Sequence, residues 1–172
     1  IHAYNDPLVI VGQGTAALEL LDQAGPLDAV MTPVGGGGLA SGTAVVVSSL
    51  APQASVWAGE PALADDAYRS LQAGRPEPVL RTDTIADGLL TSLGELTWPI
   101  IRDHVDQIIT VSEGEIVAAM RLFWERSKLL IEPSAAVAVA AVLTDEFKAL
   151  GGMNRVAVVL TGGNVDLASL PW

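Results

Sequence analysis

Pro33-Val34-Gly35-Gly36-Gly37-Gly38-Leu39-Ala40-Ser41-Gly42 is the stretch from which the fold can be read. A short apolar run, Asp28-Ala29-Val30-Met31-Thr32, precedes it and reads as a buried strand; Leu39 to Leu50 follows and reads as a helix. Four consecutive glycines leave backbone N–H groups with no Cβ in the way and permit backbone angles closed to other residues. Between a strand and a helix N-terminus such a loop wraps an anion, most commonly phosphate, with the helix dipole adding attraction. A tight turn is the plainer reading. Yet a turn rarely needs four glycines, and a linker rarely interrupts two apolar elements.

On the N-terminal side, a polar start leads to Leu8-Val9-Ile10-Val11. Gln13-Gly14-Thr15 then opens a helix with Thr15 as cap and Leu18, Leu21 and Ala24 on its buried face, stopped by Gly25-Pro26. On the C-terminal side, Ser55–Gly59 reads as a strand with Glu60 at its end, and Pro61 as the start of a helix containing Ala64-Asp65-Asp66-Ala67-Tyr68. Gly74–Asp83 is loop, Thr84–Leu89 a compact turn and Trp98–His104 a helix. Gln107–Val111 is a third strand. Ser112 and Glu115 form a capping box for a helix running to about Leu130. Glu132-Pro133 begins an Ala-rich helix through Leu143 with almost no polar face, so it should be buried. Arg155–Leu160 is the fourth strand and runs into a second glycine loop, Thr161-Gly162-Gly163-Asn164. Strands alternating with helices predict an α/β fold: a parallel sheet between two helical layers. Ligands of such sheets gather at the carboxyl ends of the strands, where the tetraglycine loop, Glu60 and Thr161 all fall.

The 172 residues are enough for one domain, and a 50% hydrophobic composition provides its core. A net charge of −11 argues against nucleic-acid binding. With no cysteine, disulfides, zinc–thiolate sites and a cysteine nucleophile are excluded, and a cytoplasmic setting is expected. No apolar run is long enough for a transmembrane helix. Ile1–Asp6 lacks the basic region of a signal peptide, and without an initiator Met the chain is expected to begin inside a longer one.

Several residues carry chemistry. Thr161 offers a neutral hydroxyl directly after a strand; it can cap its own loop or meet a ring nitrogen. Glu60, Asp65 and Asp66 form an oxygen-rich cluster of the kind Mg2+ or Ca2+ takes. The same acids also serve to complement a helix N-terminus, the reading favoured by the residues alone. Glu132 stands at another helix start, where a carboxylate is again welcome. His2 and His104 are isolated. Lys128 and Lys148 are the only lysines, and both fall on predicted helices rather than strand-end loops.

Taken in order, these motifs resemble the C-terminal part of the serine racemase and serine/threonine dehydratase family, pyridoxal-phosphate enzymes of fold type II. The resemblance rests on Gly12-Gln13-Gly14-Thr15, Val34–Leu39, Glu60-Pro61, Ala64–Tyr68, Thr84–Gly88, Trp98–Arg102, Glu125-Arg126, Lys128–Pro133 and Gly162–Leu167. It implies that residues 1–172 are the C-terminal part of the large cofactor-binding domain. Gly35, Gly36, Gly37, Gly38 and Leu39 would hold the phosphate of pyridoxal 5'-phosphate. Thr161 stands where the family commonly has a serine facing the pyridine nitrogen, and Gly88 and Glu132 would lie near the ring. Glu60, the carbonyl of Ala64 and Asp66 match a divalent-cation site for Mg2+, Ca2+ or Mn2+, which reverses the reading of the acidic cluster. Lys128 and Asn164 match positions that help bind a nucleotide effector in animal members.

The family's Schiff-base lysine and smaller domain belong to an N-terminal half not found in this sequence, so no catalytic residue is assigned here. A complementary N-terminal segment and a homodimer are the expected partners, and a hydroxy amino acid is the expected substrate, dehydrated to a 2-oxo acid and ammonia or racemised. Alone, the chain is expected to leave a sheet edge unpaired and to be poorly stable. Two other readings stay open: a nucleotide-binding domain, although no G-x-G-x-x-G fingerprint is present, and a non-catalytic scaffold fragment.

Overall fold

The computed structural model describes all 172 residues, Ile1–Trp172. Strands β1 (Ala29–Pro33), β2 (Ser55–Pro61), β3 (Gln107–Val111) and β4 (Val156–Val158) form one parallel sheet in the order β3-β2-β1-β4. Met31 pairs with Trp57 on one side and Val158 on the other. Glu60, at the carboxyl end of β2, pairs with Thr110. Every residue of β1 is buried, as expected of a strand covered on both faces.

The period-two alternation of side chains divides the core. Val30, Val56, Ala58 and Ile108 face helices α2 (Gly38–Leu50), α3 (Asp66–Ala73) and α4 (Thr97–His104), meeting Ala44, Val47, Ala67 and Ile101. Met31, Trp57, Ile109 and Val111 face the other way, against α5 (Glu113–Ser127) and α6 (Pro133–Leu143), where Ile116, Met120 and Val137 are fully buried. Truncating one such side chain to Ala would cost about 2–5 kcal/mol. Residues Ser134 to Ala141 of α6 are all buried, in keeping with its missing polar face. The three-layer α/β arrangement predicted from the alternating pattern is the one observed.

Several boundaries differ from the sequence reading. The first helix, α1 (Pro7–Ala24), starts eight residues before Thr15, with Asp6 accepting from the Leu8 N–H as its cap. Gly12 and Gly14, poor helix formers, had masked it. Gly14 sits where α1 and α2 approach so closely that a Cβ there would lie 3.0 Å from the Gly42 carbonyl. Pro61 does not begin a helix; it ends β2, paired with Val111, and α3 waits until Asp66. Helix α5 stops at Ser127, not Leu130. Lys128 turns left-handed at φ 62°, returning the chain so that Trp124 Nε1 donates to the Ile131 carbonyl at 2.9 Å. A short helix, α7 (Asp145–Ala149), was not anticipated. The ladder of β4 is shorter than Arg155–Leu160, and its far edge pairs with no strand.

Candidate functional site

A cleft of about 370 Å3 opens at the carboxyl ends of β1 and β4. Gly35, Gly36, Gly37, Gly38 and Leu39 form one wall; Gly88, Glu132, Ser134 and Thr161 lie on others. The two glycine loops therefore share one cavity.

The first loop is built to present amides. The N–H groups of Gly35, Gly36 and Gly37 donate to no protein acceptor. The first turn of α2 adds Gly38, Leu39 and Ala40, whose N–H groups have no partner within the helix. Gly35 to Gly38 are buried, so these donors sit in a protected concavity. Leaving such groups unpaired is costly, and an oxyanion with several lone pairs satisfies them together. Side chains are excluded by geometry. Gly37 has φ 88°, and a Cβ on Gly36 would overlap the Tyr4 ring. These features fit a phosphate monoester at this wall.

Around the cleft, Glu132 caps α6 and reaches to the second loop. Its carboxylate accepts from the Asn164 N–H at 2.7 Å, and its own N–H donates to the Gly162 carbonyl at 3.0 Å. Thr161, exposed, makes no protein hydrogen bond and lines the cleft directly. Ser134 accepts from the Gly88 N–H at 3.0 Å, fixing the turn that carries Gly88.

The acidic cluster lies beside β2, outside this cleft. Glu60 is 1% exposed, and its two carboxylate oxygens accept from the N–H groups of Ala67 and Tyr68, each at 2.8 Å. Burial pushes its carboxyl well above the usual carboxylate range, against the pull of those two bonds. Asp66 is equally buried and is raised to about 6, chiefly by burial. Its Oδ2 accepts from the Leu93 N–H at 3.2 Å, while its Oδ1 is buried with no partner. The Ala64 carbonyl accepts from no N–H, because the Tyr68 N–H that would reach it turns to Glu60. Two buried carboxylates and two orphaned oxygens suit a hard cation, whose charge would offset the desolvation. Asp65 is engaged elsewhere, paired with Arg69 at 2.8 Å.

Lys128 lies apart from the cleft, lining a shallow recess with Trp124, Leu129 and Leu130, and its Nζ donates to the Glu125 carbonyl at 2.7 Å. Asn164 follows Gly163, which abuts Leu130. Neither lysine lines the cleft. Tyr4, Thr91 and Ser134 were missed by sequence reasoning. Only Ser134 carried a signal, standing in the first turn of a helix that Glu132 and Pro133 announce.

The family of pyridoxal-phosphate dependent enzymes matches residues 1–162. Serine racemase from Dictyostelium discoideum is 51% identical over 99% of this chain and 53% of its own length. Beta-hydroxyaspartate dehydratase from Paracoccus denitrificans (strain Pd 1222) is 51% identical over 100% of this chain and 54% of its own. The solved structure of maize serine racemase superposes with a TM-score of 0.94 at 45% identity, covering 97% of this chain and 52% of that one. The chain thus spans about half the length of the curated relatives it matches. No helix is long and apolar enough to cross a membrane.

Proposed function

Because the chain belongs to the family of pyridoxal-phosphate dependent enzymes, we propose that it forms the phosphate-holding part of the large domain of an enzyme that dehydrates or racemises serine, threonine or a related hydroxy amino acid. The observation that carries this reading is the run of unpaired N–H groups from Gly35 onward, facing a cleft that Thr161 also lines. When bound, pyridoxal phosphate supplies an electron-withdrawing ring that acidifies the α-hydrogen of an attached amino acid.

This chain's residues bind and orient. The amides of Gly35 to Leu39 anchor the phosphate, aided by the α2 dipole. The Thr161 hydroxyl would hold the ring nitrogen through a neutral hydrogen bond, which would not keep a proton there as a carboxylate would. Gly88 and Glu132 would border the ring, and Glu132 also secures the loop that carries Thr161. The family resemblance implies that proton transfer at the α-carbon would fall to a lysine on a complementary N-terminal segment; neither Lys128 nor Lys148 lines the cleft. Glu60, the Ala64 carbonyl and Asp66 hold a divalent cation, Mg2+ or in its place Ca2+ or Mn2+. The complete enzyme acts in the cytoplasm as a homodimer, with Lys128 and Asn164 available to a nucleotide effector.

Two measurements test this. Pyridoxal 5'-phosphate titrated into the complete protein should bind saturably, compete with inorganic phosphate, and support release of a 2-oxo acid and ammonia, or inversion, from L-serine, L-threonine or 3-hydroxyaspartate. Failure of binding and turnover together rejects the reading. Separately, Mg2+ at 100 times its Kd should add about 2.7 kcal/mol of stability, and Asp66→Ala should abolish the gain. An undiminished gain in that variant removes the cation from Asp66.

A further inference from the structure

The tetraglycine loop does not shape itself. Its Gly36–Gly37 peptide lies between two side chains from distant parts of the chain. On one side is the Tyr4 ring, whose position a Cβ on Gly36 would overlap. On the other is Thr97, fully buried in the first turn of α4. The Thr97 hydroxyl donates to the Gly36 carbonyl at 2.8 Å and accepts from the Gly94 N–H at 2.8 Å. Its single proton has a second acceptor in reach, the Gly94 carbonyl at 3.2 Å, but the Gly36 carbonyl is nearer.

We propose that Thr97 is a positioning residue that sets the polarity of the phosphate cradle. The peptide bond is planar and trans, so its C=O and N–H point in opposite directions. Drawing the Gly36 carbonyl toward Thr97, into the interior, turns the Gly37 N–H outward. A flipped peptide would instead present a carbonyl oxygen to the incoming anion and repel it. Glycine at φ 88° has no Cβ to oppose either orientation, so the loop cannot choose by itself. Thr97 is held in turn: the Asn5 Oδ1 accepts from the Leu96 N–H at 2.8 Å, and the Ser41 hydroxyl donates to the Thr97 carbonyl at 3.4 Å. The segment before α1 and the first turn of α4 thus converge on one peptide of the loop.

This inference rests on the reading of Gly35–Leu39 as a phosphate site, and the test separates the two. Inorganic phosphate is titrated into the complete protein freed of pyridoxal phosphate and followed by its 31P resonance, for wild type, Thr97→Val and Thr97→Ser, well below each melting midpoint. Thr97→Val, which keeps the shape and loses the hydroxyl, should raise the phosphate Kd about tenfold or more, while Thr97→Ser should stay within about twofold. Equal binding by wild type and Thr97→Val overturns the role of Thr97 alone. Equally weak binding by Thr97→Ser and Thr97→Val does so too, because packing rather than the hydroxyl would then be responsible. Wild type that binds no phosphate overturns the phosphate site itself, and the inference with it. Should Thr97→Val not fold, Asn5→Ala serves: a severalfold rise in Kd is expected, and an unchanged Kd overturns the proposal.

Discussion

Two glycine loops follow parallel strands and border the same cleft, yet they spend their backbone groups differently. In Gly35–Gly38 every residue is buried and the amides find no protein acceptor. Thr161–Asn164 is largely exposed: the N–H groups of Thr161, Gly162 and Gly163 also find no protein acceptor but are open to water, while other groups of the loop pair within the protein. The Gly162 carbonyl accepts from Glu132, the Asn164 N–H donates to the Glu132 carboxylate, and the Val165 N–H donates to the Gly163 carbonyl. The first loop keeps buried donors for a ligand; the second offers a side chain, Thr161, on an exposed backbone that Glu132 holds in place. Glycine content does not separate the two. The burial of their unpaired donors does.

That contrast can be broken or sharpened by substitution, starting where the effect should be largest. Gly37→Ala places a Cβ at φ 88° and within 2.8–2.9 Å of Ile101 and Thr97. It should destabilise the protein by about 2 kcal/mol or more and abolish measurable phosphate binding by 31P titration. Wild-type affinity in this variant would mean that the cradle is not the anion site. Glu132→Ala leaves the Asn164 N–H without its partner and should cost about 1 kcal/mol in urea unfolding, while phosphate affinity stays unchanged. Lost phosphate affinity there would erase the division of labour between the loops. Gly162→Ala should be nearly silent, within about 0.5 kcal/mol. Its Cβ would meet only the flexible end of the Glu132 side chain at 3.2–3.4 Å, and its φ is not left-handed. A melting point several degrees lower would show that the second loop is as tightly constrained as the first.

Much of this was legible beforehand because it is local. The apolar runs of β1, β2 and β3 are short and bounded by turn residues. The Ser112–Glu115 capping box was read directly, and the structure forms both of its bonds. The misreadings arose where distant contacts override local preference. Glycines that argue against a helix near residue 12 are tolerated in α1 because α2 comes close enough to need one at Gly14. Pro61, a good first helical residue by itself, stays in the sheet because Val111 pairs with it and accepts from the next N–H, that of Ala62, at 2.8 Å. Thr97 gave no warning at all: it lies 61 residues from the carbonyl it holds.

By itself, the order of apolar runs, caps and glycines determined that this chain is a parallel α/β layer structure with its candidate site at the carboxyl ends of its strands. Those features depend on side-chain periodicity and backbone freedom, which neighbouring residues set. Only the tertiary structure decided that the two glycine loops share a cleft, that one buries its unpaired amides while the other leaves them exposed, and that Asp66 holds an orphaned oxygen in the interior. Each of these depends on which groups from remote segments arrive to pair or to exclude water, and pairing at a distance leaves no periodic mark along the chain.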